Sequence, residues 1–283
     1  MKICTKKILS SVLILPLSIL LAFCARILSL HVLSTLFKAI NLTEITLPYA
    51  PLWAQRLAAV SGSIADFLFL LVLVIPMILY CGKAGKGQKK LYLYMASGLL
   101  FGAFLMSVLL LTGSVRMSKV RTFPFPGAFA LYVLTDLFSA TARAYLCRCV
   151  PGKTFGKNPR IRLILSIALQ AAYWMPAKSS LSPVLIINSC LLGFLLFLLY
   201  EKRGSVLPEI LFVFSLRFTV RFLFGYPDLG GAYPVSEPLF TGDAGSLSHS
   251  LLLTVCLFSV SCALITRFIL ARRIPKGVSH VSK

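Results

Sequence analysis

The sequence predicts an all-α fold, a polytopic integral membrane helix bundle of about eight transmembrane helices with both termini cytoplasmic. Three observations predict it. The first is composition: 58% of the 283 residues are apolar and 13% are charged, where a soluble domain carries about 25% charged residues. Mean hydropathy is +0.89. The second is pattern, since the apolar residues gather in runs of spanning or near-spanning length, each closed by charges or by Gly and Pro. The third is charge balance, 29 Lys and Arg against 8 Asp and Glu. In a soluble chain that excess would point to a polyanion. In a chain this apolar it fits the positive-inside bias, so the expected partner is the lipid bilayer and no nucleic acid.

The first run, Ile8 to Ala25, follows Lys2, Lys6 and Lys7. Leu21-Ala22-Phe23-Cys24 resembles a lipoprotein cleavage box, but such peptidases want a small residue where Phe23 stands. About 18 residues at ~1.5 Å each nearly match a ~30 Å hydrocarbon core, so the run reads as the first transmembrane helix. Residues 29–57, broken by His31, Lys38, Asn41, Glu44, Pro48 and Pro51, read as an external amphipathic or re-entrant segment. Seven more helices are expected near 61–81, 91–113, 125–147, 161–177, 183–200, 206–224 and 250–271. Two of them, 161–177 and 183–200, are short and joined by the tight connection Pro176 to Pro183, as in a hairpin that need not span fully.

With the N-terminus inside, 18 of the 29 basic residues fall on inner segments, Arg148 among them, and 7 on outer ones. Residues 225–249 hold no Lys or Arg and carry Asp228, Glu237 and Asp243, as an external loop should. The chain thus divides into residues 1–90, a first helix pair with its external segment; 91–224, a helical core; 225–249, an external loop; and 250–283, a last helix with a basic tail. A bacterial cytoplasmic (inner) membrane fits the short loops. The cysteines read as packing residues, with Cys147-Arg148-Cys149 as two thiols at a helix end, the alternative being a redox or acylation site.

Ionisable groups inside transmembrane helices are the default functional candidates, because each is unfavourable by several kcal/mol unless it faces a partner or a wet cavity. They are Asp66, Asp136, Arg143, Glu209, Arg217 and Arg221. Asp136 and Arg143, seven residues apart, share one helix face at ~10.5 Å along the axis. Arg217 and Arg221 lie near a helix end, where snorkelling explains them. No H-E-x-x-H, G-x-S-x-G or Walker glycine loop occurs, and His31, His249 and His280 are far apart. Metal hydrolysis, nucleotide use and a serine triad lack their residues, and no metal or other cofactor is expected.

The stretch Leu191 to Gly225 reads as an apolar helix, a charged turn ending in Arg203-Gly204-Ser205, and a second apolar helix bearing Pro208. Upstream runs Arg143-Ala144-Tyr145-Leu146-Cys147-Arg148, and downstream a Thr-Gly-rich segment, Leu239 to Leu247. Together these resemble the core of the CPBP family of intramembrane proteases, the CAAX-processing and bacteriocin-processing group, over about 125–250. The resemblance implies a glutamate pair that activates water, with histidines and an asparagine that polarise the scissile carbonyl. At the matching positions this chain has Phe138 and Ser139 for the glutamates, Trp174 near the second-motif histidine, and Val213 and Arg217 for the third-motif histidine and asparagine. Arg143 alone survives by identity.

The expected protein is a non-catalytic or divergent relative, a pseudoenzyme, that binds a membrane peptide or lipidated segment. One alternative is an active intramembrane endopeptidase in which Asp136, assisted by Arg143, replaces the glutamates. Another is a small transporter or lipid-handling protein with Asp66 and Asp136 on its path, against which stand the absence of a repeat and the scarcity of acids.

Overall fold

The computed structural model describes residues 2–39, 51–82, 90–111, 116–117, 126–156, 158–174, 183–220, 235–236 and 251–273. Among them the protein is helical: α1 (Lys2–Ala39), α2 (Leu52–Cys81), α3 (Tyr92–Leu111), α4 (Pro126–Ala144), α5 (Val150–Thr154), α6 (Pro159–Trp174), α7 (Pro183–Arg203), α8 (Leu207–Phe218) and α9 (Leu251–Arg273). A π-helical turn, Tyr145–Cys149, joins α4 to α5 without a break. One two-residue antiparallel pairing, Arg116–Met117 (β1) with Val235–Ser236 (β2), is the only strand structure among the described residues.

Within the described residues, every predicted apolar run falls on a helix. Three helical stretches among the described residues are long and apolar enough to cross a membrane: Pro16–Ala39, Val60–Cys81 and Tyr92–Leu111. The external segment expected at 29–57 is corrected in part, since α1 runs on unbroken through Ala39 and α2 already begins at Leu52; residues 40–50 lie outside the described residues. The reason is length. α1 has 38 residues, about 57 Å at ~1.5 Å each, so it outruns a ~30 Å core and carries His31 and Lys38 on exposed positions. The connection 176–182, most of the loop 225–249, Arg221 and the basic tail from 274 also lie outside the described residues.

An apolar core is present, but large apolar side chains also face outward and several charged ones face inward. Leu79, Leu100, Leu111, Ile164, Val255 and Phe258 stand exposed, while Asp136, Arg143, Arg148, Glu209, Gln170 and Asn188 are buried. Exposed apolar side chains suit a lipid solvent, and charges kept inside suit a bundle whose outer face has no water to offer. α1 packs along α2, α2 along α4, α3 along α8, α6 along α7, and α7 along α9 and α8. α4 also meets α8, and its π turn touches α2 and α6, so this segment stands at the centre.

Small residues set the closest approaches. A Cβ on Gly98 would overlap Ser215 Oγ and the carbonyl oxygen of Phe212, and one on Gly102 would lie 2.9 Å from Thr219 Cβ. α3 therefore lies backbone to backbone against α8, as a Gly-x-x-x-Gly spacing allows. On α4, Ala140, Ala142 and Ala144 are buried, and they leave the room that the polar side chains between them occupy.

Candidate functional site

α4 presents Asp136, Ser139 and Arg143 on one face, at spacings of three and four residues. α8 presents Glu209, Val213 and Arg217 on one face, four residues apart. The two stripes meet in antiparallel register. At one end Arg217 Nη2 pairs with Asp136 Oδ1 at 2.8 Å, and Arg217 Nη1 donates to Ser139 Oγ at 2.6 Å. At the other, Arg148 Nε donates to Glu209 Oε2 at 3.1 Å. Val213, buried, separates the two pairs.

The Arg148 pair is the more enclosed, with neither side chain exposed at all. Its guanidinium also donates to the carbonyl oxygens of Cys147 and Ser166 at 3.3 Å and of Gly193 at 3.0 Å. Ser166 Oγ returns a hydrogen bond to the Cys147 carbonyl at 2.6 Å. Arg148 thus ties the π turn, α6, α7 and α8 together. The second carboxylate oxygen of Glu209, Oε1, has no hydrogen-bond partner. Nearby on α6, buried Gln170 packs its stem against Gly193 and leaves both amide atoms without partners.

These contacts correct several sequence expectations. Arg148 is not on an inner loop: the π turn adds a residue to the helical turn, rotates Arg148 inward and keeps the chain helical through Thr154. The Cys147-Arg148-Cys149 stretch accordingly lies inside a continuous helix rather than at a helix end. Asp136 also takes Arg217 as an ion-pair partner, across to α8, which the sequence did not suggest. Arg217 does not snorkel, because Asp136 and Ser139 hold its head group. Asp66 lies away from this interior, bonded at 2.9 Å to Arg26 of α1.

The other expected positions lie on α4 and α6. Phe138 stacks edge-on against Phe67 at 5.3 Å, Arg143 is buried beside Ser139, and Trp174 closes α6. The sequence reasoning missed Arg148, Ser166, Gln170 and the Gly98/Gly102 contact. Only the last had a plain signal, its Gly-x-x-x-Gly spacing.

Among the described residues no three of His, Cys, Asp and Glu gather as metal ligands would. Chemically the seam is a pair of salt bridges in series, suited to holding helices in register or to gripping a polar group inside an apolar bundle. Fold and seam define a helical membrane protein with a charge-paired interior. Comparison with known proteins finds no matching family model, no matching curated protein and no matching solved structure.

Proposed function

We propose that this chain is a non-catalytic, CPBP-like integral membrane protein that binds a membrane peptide or lipidated segment between α4, α6, α7 and α8. One observation carries the reading: Ser139 and Arg217, which stand where the resemblance puts a glutamate and an asparagine, meet at 2.6 Å. A serine and an arginine at those positions offer neither a general base nor a neutral amide donor. Asp136 is a poor substitute for the glutamates, because Arg217 holds its Oδ1 at 2.8 Å.

The reading includes eight membrane spans with both termini on the cytoplasmic side of a bacterial inner membrane. Fusions test that part: alkaline phosphatase should be active when inserted at residue 230 and inactive after residue 90 or residue 283. Activity after residue 90 would overturn this orientation.

Binding is tested with a photoreactive benzoylphenylalanine at position 138 or 174 in the full chain, with prenylated and transmembrane peptides as probes. The expected result is capture of an intact peptide that excess unlabelled peptide displaces. No capture from either position would sink the binding reading. Cleavage of the peptide by the native chain, abolished by Asp136→Asn, would instead make the protein an active endopeptidase.

A further inference from the structure

We propose that Cys81 and Cys149 form a peroxide-sensitive dithiol that closes to a disulfide and fixes the C-terminal end of α2 to the π turn. The two residues are 68 positions apart in the sequence, yet Tyr145 and Lys153, four residues to either side of Cys149, bond to Gly82 and Tyr80 on either side of Cys81. Both are free and partly exposed. Cys147, the neighbour suggested by sequence proximity, is fully buried.

The surrounding contacts keep this corner closed independently of the thiols. Tyr145 Oη donates to the carbonyl oxygen of Gly82 at 3.3 Å. Lys153 Nζ donates to the carbonyl oxygen of Tyr80 and lies 4.3 Å from the centre of its ring. Both ends of the Tyr145–Lys153 segment thus reach the residues that flank Cys81. Lys153 also brings a positive charge to Cys81, the kind of neighbour found beside reactive thiols. Proximity, access and a nearby cation are what separate an oxidisable cysteine pair from two packing residues.

The chemistry is a two-electron oxidation with a hydroperoxide as oxidant. The Cys81 thiolate attacks one peroxide oxygen; the O–O bond breaks, hydroxide leaves, and Cys81 becomes a sulfenic acid. The Cys149 sulfur then attacks the Cys81 sulfur; the S–O bond breaks and hydroxide leaves, taking up the thiol proton as water. With hydrogen peroxide the sum is two thiols and one peroxide to one disulfide and two waters. Because Cys149 directly follows Arg148, the new bond would tether the turn from which Arg148 reaches Glu209.

The test treats the full chain in detergent with hydrogen peroxide, blocks remaining thiols with N-ethylmaleimide and maps the peptides by mass spectrometry without reduction. A peptide joining Cys81 to Cys149 is expected, with loss of two alkylatable thiols that dithiothreitol restores. Cys81→Ser and Cys149→Ser should each abolish it, and Cys147→Ser should leave it unchanged. Alkylation of both Cys81 and Cys149 after peroxide treatment, or Cys149 joined to any other cysteine, would overturn the proposal. Mapping the native chain alone decides between these outcomes, even if a serine variant folds poorly.

Discussion

Replacing Glu209 with alanine is expected to lower the stability of the folded bundle by about 3–5 kcal/mol, the scale on which a buried charge left without its partner acts. Glu209 is fully buried and its carboxylate faces Arg148 at 3.1 Å. Removing it leaves that guanidinium enclosed, with neither side chain of the native pair exposed. Carbonyl oxygens from Cys147, Ser166 and Gly193 still accept from Arg148, but they carry no formal charge. Thermal unfolding in detergent, followed by cysteine-reactive dye or near-UV circular dichroism, reads the loss. Glu209→Gln keeps the shape and removes the charge, so it should fall between wild type and alanine. Replacing both partners by apolar residues, as Arg148→Met with Glu209→Leu, should restore most of the loss, because no charge is then stranded. Unchanged unfolding of Glu209→Ala would refute the account of this pair.

The second large effect is expected at Gly98. Its missing side chain lets α3 lie against the backbone of α8, where even a Cβ would overlap the Phe212 carbonyl oxygen. Gly98→Leu must therefore part the two helices. Overpacking of this kind destabilises by about 1–3 kcal/mol, and more where the obstacle is backbone rather than a side chain that can turn away. Gly62 is the control, because nothing lies within 4 Å of a Cβ there. Gly62→Ala should match wild type in detergent unfolding, while Gly98→Leu should yield little folded protein. Equal stability of the two variants would show that α3 and α8 have room to spare.

The helices were readable because each apolar run is bounded by charge, Gly or Pro, and within the described residues every expected run falls on a helix. The ends were less readable. His31 and Lys38 look like interruptions in the sequence, yet α1 continues through them and carries both on exposed positions. At the seam, Asp136, Ser139, Arg143 and Arg217 could be named in advance, because their three- and four-residue spacings survive in regular helix and the resemblance singles out the same positions. Arg148 could not. Its neighbours Gly152, Lys153 and Lys157 give it the look of a loop residue, and a π turn does not follow the 3.6-residue repeat on which face assignments depend. The nearness of Cys81 and Cys149 was hidden for another reason, since no local pattern links residues on two separate helices.

The seam also bears on how the protein is made. Synthesis runs from α4 to α8, and 61 residues separate Arg148 from the carboxylate that receives it. Until α8 follows, α4 and its π turn bring Asp136, Arg143 and Arg148 to the membrane without their α8 partners, and each such charge disfavours insertion of a lone helix by about 2.5–3.5 kcal/mol. On the proposed eight-span topology, α4 is therefore expected to insert better when α8 follows it than alone, since Glu209 and Arg217 then neutralise its charges.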